Sequence, residues 1–172
     1  LVAKGFGGLE TYLALLEDPK LLARTGLAEA KTLEGFLYPE TYFFSRVERP
    51  RQILATMISQ YRHTFTPELR ARAEELGLSE YQVLTLASIV EKETGRAEDR
   101  GKIAAVFHNR LRKRMLLGSD PTVIYGIPEF NGNLTRKHLR TPTPYNTYTQ
   151  RGLPPTPICS PGKDSLHNTL YP

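Results

Sequence analysis

Residues 79–95, SEYQVLTLASIVEKETG, constrain the fold more than any other part of the chain. Ser79 followed three residues later by Gln82 is a capping box, in which each side chain satisfies an orphan backbone N–H at a helix start. The spacing predicts a helix over 80–94, with Gly95 as its C-terminal stop. On a wheel that advances by ~100° per residue, Val83, Leu84, Leu86, Ala87, Ile89 and Val90 share one stripe, so this helix belongs in a core. Lys92 points away from the stripe, while Glu91 and Glu93 fall on its two shoulders, at about +80° and −80°. A carboxyl half-buried on such a shoulder has its pKa raised by desolvation and can hold a proton near neutrality. Either glutamate is therefore a candidate general acid. The wheel does not choose between them, and a solvated helix end has the same pattern.

Residues 7–17 and 50–64 read as amphipathic helices, the second opening on Pro50 and carrying Ile53, Met57, Ile58 and Tyr61 at helical spacing. Pro67 opens another through Glu75, closed by Gly77. A helix over 98–115 places Ile103, Val106, Phe107 and Leu111 on one face. Arg110, Arg112, Lys113 and Arg114 lie on its opposite face and end, where solvated cations suit the macrodipole. Asp120 followed by Pro121 reads as a cap and a first-turn proline of a short helix to Tyr125, and Thr135 caps another through Leu139. Residues 32–44, TLEGFLYPETYFF, read as an ordered irregular segment or a short strand. Residues 141–161 are proline-rich, which lowers the entropy of the unfolded chain and favours a rigid loop. There is no repeat and no linker. The 172 residues read as a single domain, mainly α with short β segments, long enough to bury ~70% of the unfolded surface without a disulfide or metal.

A formal net charge of +5 and a pI near 9.4 favour an anionic partner: nucleic acid, an anionic membrane surface or an acidic glycan. Cys159 is the only cysteine, which excludes an intramolecular disulfide and leaves the redox compartment open. No apolar run approaches the ~18 residues of a membrane span, and no signal segment is present. His63, His108, His138 and His167 lack metal-ligand spacing, Cys159 lacks a nearby nucleophile partner, no phosphate loop follows a strand, and no nucleic-acid module is recognisable. No metal and no cofactor are expected.

Six segments in order, LEGFLYPETYFF, LASIVEKET, VFHNRL, SDPTVIYG, YNTY and GLPPTPICSPG, resemble the MltG-type (YceG-like) endolytic murein transglycosylases over roughly residues 30–170. The resemblance implies a lysozyme-like transglycosylase catalytic domain that cuts peptidoglycan glycan strands between N-acetylmuramic acid and N-acetylglucosamine without consuming water. It makes Glu93, the second glutamate of E-K-E-T, the sole acid and then base, where ordinary glycosidases use two carboxylates. The pair with Thr94 is similar to the Glu-Ser pair of lysozyme-like lytic transglycosylases, and Glu91 becomes a supporting residue. Ser119, Asp120, Thr122, Tyr125, Tyr145, Asn146, Thr147 and Tyr148 are implied to bind substrate through hydroxyls, an amide and aromatic faces, with Glu34 and Tyr38 supporting.

Two departures stand out. Gly118 occupies a position where members commonly carry glutamine, and the chain lacks the family's N-terminal membrane anchor, LysM-like region and C-terminal segment, so it reads as a fragment. The parent protein is expected at the outer, periplasmic face of the cytoplasmic membrane, held by an anchor outside this chain, with peptidoglycan synthases as partners and no nucleic acid. Two rival readings are a non-catalytic peptidoglycan-binding module and a basic, helical nucleic-acid-binding domain.

Overall fold

The capping box forms: Ser79 Oγ accepts from Gln82 N at 3.2 Å, and Gln82 Oε1 accepts from Ser79 N at 2.9 Å. The helix it opens, Glu80–Glu93, is the fifth of nine in a computed structural model that describes residues 1–172. In chain order these are α1 (Leu9–Leu15), α2 (Pro19–Thr25), α3 (Pro50–Thr64), α4 (Pro67–Glu75), α5 (Glu80–Glu93), α6 (Arg100–Arg112), α7 (Asp120–Tyr125), α8 (Arg136–Arg140) and α9 (Lys163–Leu170). No helix is long and apolar enough to cross a membrane. The expected β segments do not form. The sheet-like pairing is one isolated antiparallel bridge, Leu116 to Arg151, and residues 32–44 are turn and irregular structure.

Burial along α5 is wider than a stripe. Tyr81 and every residue from 83 to 90 are buried. Val83, Leu84 and Ala87 enter one core with Phe36, Leu54, Ile58 and Tyr61. Leu86, Ile89 and Val90 enter a second with Ala104, Phe107, Leu117 and Ile158. Helices α6, α7 and α9 pack around α5, so it is sheathed on all sides, as a helix apolar around most of its circumference must be. Each large apolar side chain so buried contributes about 1.5–3 kcal/mol relative to exposure.

Two polar residues survive inside this sheath because they are partnered. Thr85 Oγ1 donates to the Tyr81 carbonyl at 2.8 Å. Ser88 Oγ donates to the Thr85 carbonyl at 2.7 Å and accepts from Ile158 N at 3.0 Å. Ser88 thereby ties the proline-rich loop to α5. Gly35 has φ +93°, and a Cβ there would lie 2.6 Å from Pro157 Cγ. Only glycine lets the 32–44 segment close on that loop. Tyr38, expected to support the site, lies at 4% exposure in the first core; its phenol is raised above the ordinary value by burial.

Helix ends differ from expectation in three places. Gly95 is not a left-handed stop. Thr94 turns extended at φ −142° and its Oγ1 accepts from Arg96 N at 3.0 Å, a local hydroxyl turn that replaces the glycine. The helix expected over 98–115 is a 3₁₀ turn, Ala97–Asp99, followed by α6, and ends where Arg114 adopts φ +52°. A non-glycine residue in that region gives no compositional signal. Ser119, not Asp120, is the N-cap residue of α7, and it makes no side-chain cap.

Replacing Ser88 with alanine leaves the Ile158 N–H buried and unpaired. The expected loss is about 1–3 kcal/mol of stability, read from urea denaturation, with secondary structure retained.

Candidate functional site

Glu93 is the last residue of α5, where the buried helix meets solvent. Its side chain is exposed, and Ser119 Oγ donates to its Oε2 at 2.8 Å. The serine itself is fully buried and held from three directions. Its N–H donates to Thr147 Oγ1 at 2.9 Å, its carbonyl accepts from Thr122 Oγ1 at 2.7 Å, and the two threonine hydroxyls meet at 2.8 Å. Thr122 and Thr147 are buried at 0% and 2% exposure, so they brace Ser119 rather than reach substrate. The hydroxyl that an ordinary N-cap would spend on its own helix is directed at Glu93 instead.

Glu91 has a different environment. Its Oε2 accepts from Gly162 N at 3.1 Å and its Oε1 lies 3.4 Å from Arg100, which also approaches Asp164 at 3.6 Å. This half-buried carboxylate joins α5, α6 and the start of α9. Glu93 has no cationic partner within ion-pair distance. The half-burial expected on both shoulders is thus met only at Glu91.

Asp120 is exposed beside Ser119 and accepts from the Tyr148 hydroxyl at 2.7 Å. Burial, then the hydrogen bond to Asp120 and the charges of Asp120 and Glu93, push the Tyr148 phenol up to about 12, so it stays neutral and donates. Tyr148 is 37% exposed and offers its ring at the surface. Gly118, at φ +60°, would place a Cβ 3.5 Å from that ring and 3.7 Å from Arg110.

Asn146, expected to bind sugar, is fully buried. Its Nδ2 donates to the carbonyls of His138 at 3.1 Å, Leu139 at 3.1 Å and Thr141 at 2.7 Å, and its Oδ1 accepts from Tyr148 N at 2.9 Å. The amide closes the C-terminal end of α8 and sets the backbone of Tyr148. Tyr125 donates to Glu34 Oε2 at 2.5 Å, and its ring tilts against Tyr145 at 4.8 Å. Burial first and the Glu34 hydrogen bond second raise its phenol above the ordinary value. Tyr145 in turn meets Thr156 at 2.9 Å. Glu34, Tyr125 and Tyr145 therefore join the 32–44 segment, α7 and the proline-rich loop. Cys159 donates to the Ser88 carbonyl at 3.4 Å, and burial pushes its thiol up to about 12, an environment for packing rather than nucleophilic attack.

Sequence reasoning missed the wall beside Glu93. Lys102, Ile103, Val106, Phe107 and Arg110 form a shallow groove of ≈ 210 Å³ with it. Val106, on the apolar face of α6, is 46% exposed there. Arg110, read as a solvated helix end, is half-buried and donates to the Leu117 carbonyl. The missed signal was the short motif VFHNRL itself, whose apolar and basic residues were assigned to opposite faces of a helix. A larger hollow of ≈ 520 Å³ lies away from Glu93, near Leu76, Leu78 and His108, and no acidic side chain lines it.

Residues 8–172 match the profile of the YceG-like family. The chain belongs to the YceG-like family. It is 39% identical over 144 residues to the endolytic murein transglycosylase of Bacillus subtilis, covering 81% of this chain and 39% of that protein. Against the endolytic murein transglycosylase of Streptococcus pneumoniae (serotype 2, strain D39) it is 31% identical over 171 residues, covering 94% of this chain and 31% of that protein. This YceG-like chain thus spans between about a third and two-fifths of those relatives' length. The crystal structure of a yceG-like protein from Listeria monocytogenes superposes with a TM-score of 0.79 at 35% identity, over 95% of this chain and 58% of that one. The mainly helical architecture is therefore the one shared with a solved YceG-like structure.

Replacing Asn146 with alanine in this YceG-like domain removes the hydrogen bonds that tie the end of α8 to Tyr148. The expected result is a stability loss of about 1–3 kcal/mol and faster amide exchange across 138–148, measured by hydrogen–deuterium exchange, even without any glycan present.

Proposed function

We propose that this domain is the catalytic part of an endolytic murein transglycosylase, with a lysozyme-like use of one glutamate, and that Glu93 is its acid and base. The observation that carries this reading is the contrast between the two glutamates. Glu91 is engaged by Arg100 and the Gly162 N–H, while Glu93 stands at the helix end with one oxygen oriented by Ser119 and no ion-pair partner.

With Oε2 held by Ser119, Oε1 faces the glycosidic oxygen between N-acetylmuramic acid and N-acetylglucosamine. Glu93 gives its proton to that oxygen as an oxocarbenium-like state develops at the muramic C1. The resulting carboxylate takes the proton of the muramic O6 hydroxyl, O6 closes on C1, and a 1,6-anhydro end forms without water. Proton donation and return by one positioned group fits general acid–base catalysis, worth ~10²–10⁴-fold. Tyr148, partly exposed and with its one proton given to Asp120, supplies an aromatic face and a phenol oxygen that accepts from the sugar. Thr122, Thr147 and Asn146 hold Ser119 and Tyr148 in this arrangement, while Glu34, Tyr125 and Tyr145 tie the neighbouring segments together. The parent protein would act at the outer face of the cytoplasmic membrane through an anchor outside this chain, trimming nascent strands beside peptidoglycan synthases. The basic net charge suits a wall polymer that carries lactyl and peptide carboxylates.

A second reading rests on Asp120, an exposed carboxylate next to the serine that holds Glu93. Two carboxylates can hydrolyse a glycosidic bond, one as acid and the other as nucleophile or base. The products separate the two.

Purified murein incubated with the chain is expected to yield 1,6-anhydro muropeptides by mass spectrometry, and Glu93→Gln is expected to lower their rate of formation at least about a hundredfold. Reducing-end products that require Asp120 would favour hydrolysis. Murein binding without any product would favour a binding module, and salt-sensitive DNA binding without glycan affinity would favour the nucleic-acid reading. Glu91→Gln is expected to lower thermal stability and leave the products in place.

A further inference from the structure

Along α6, Ile103, Val106, Phe107 and Arg110 recur at i, i+3, i+4 and i+7 and so share one face. Phe107 is buried at 3% exposure, yet Val106 on the same face is 46% exposed, because this face turns from the second core into the groove beside Glu93. Its apolar floor is flanked by two cations of different character. Arg110 already donates to the Leu117 carbonyl, which fixes its planar head and leaves further N–H donors for a ligand. Lys102 is exposed and makes no ion pair or hydrogen bond in the fold, so its ammonium stands free at the groove edge. Glu93 is the only anion lining the groove.

At ≈ 210 Å³ the groove is smaller than the roughly 300–1,000 Å³ of pockets that enclose a whole ligand. It therefore takes a substituent of a larger substrate, one with small apolar groups and a negative charge. On a murein strand the branch with that chemistry is the peptide carried on the lactyl group of muramic acid. We propose that the groove is the subsite for this peptide arm: its methyl groups lie on Ile103, Val106 and Phe107, and a peptide carboxylate meets Lys102. This assignment rests on the reading of the site as murein-cleaving, and it adds that the domain selects strands that still carry their peptides.

The test compares kcat/KM on peptide-bearing strands with kcat/KM on strands stripped of peptide by an amidase, in the wild type, Lys102→Glu and Lys102→Arg. Lys102→Glu is expected to lower the ratio of the two about tenfold, through KM on peptide-bearing strands, and Lys102→Arg to restore most of it. Equal loss on both substrates, or no change on either, overturns the subsite. The catalytic reading is separated by titrating N-acetylglucosaminyl-N-acetylmuramyl-tetrapeptide, and the same disaccharide without peptide, into the Glu93→Gln chain by NMR. Shifts at Ile103 and Val106 methyls that need both the peptide and Lys102 support the subsite even if no strand is cut. Absence of such shifts overturns it even if strands are cut.

Discussion

Everything near Glu93 depends on α5 being buried on all sides. A helix sheathed by α6, α7 and α9 cannot rotate or slide without opening two cores at once, because Leu84 serves one and Leu86 the other. Its last residue is thereby delivered to a fixed point at the surface. The flexible part of a glutamate is its own side chain, and there Ser119 takes over. A rigid helix supplies position, and a single hydroxyl at 2.8 Å supplies orientation.

The long proline-rich loop is fixed by the same helix rather than by secondary structure of its own. Ser88 binds the Ile158 N–H, Cys159 reaches back to the Ser88 carbonyl, and Glu91 receives the Gly162 N–H. Three contacts within one turn of α5 hold a segment that lies roughly seventy residues further along the chain. Once that loop is held, Thr147 lies against Ser119 and Thr156 lies against Tyr145. The site is thus assembled from the helix outward, with Ser88, Ser119, Thr122 and Thr147 paired inside it because an unpaired buried donor costs about 1–3 kcal/mol.

Local chemistry explains what could be read in advance. Ser79 and Gln82, Pro50, Pro67 and Thr135 act within one helical turn, and the helices they open lie where their spacing predicts. The ends read less well. Arg114 terminates α6 in a left-handed conformation that composition does not advertise, and Thr94 rather than Gly95 ends α5. On the site itself, periodicity placed Glu91 and Glu93 symmetrically about a stripe. What distinguishes them is non-local: Arg100 and Gly162 on one side, Ser119 on the other. Arg110 lies at i+7 from Ile103 and so shares the apolar face of α6, which grouping it with the basic helix end obscures, whereas the exposure of Val106 on that face is non-local. A helical wheel has no knowledge of where the neighbouring helix stops and a groove begins.

The motif YNTY shows why residue type alone misassigns roles. Asparagine and threonine carry the donors and acceptors that bind sugar hydroxyls, and the same groups bind backbone. A sugar hydroxyl exchanges water for protein and gains about 0.5–1.5 kcal/mol per hydrogen bond. Asn146 instead serves three carbonyls and one N–H from a fully buried amide, and that amide left unpaired would cost the larger desolvation penalty. A side chain that closes four backbone groups is worth more to the loop than to any one hydroxyl of a ligand. Within the motif the alternation follows from this: Asn146 and Thr147 turn inward to hold Tyr148 and Ser119, and Tyr148 turns outward beside Asp120 and Glu93. The inward pair shapes the surface that Tyr148, Asp120 and Glu93 share.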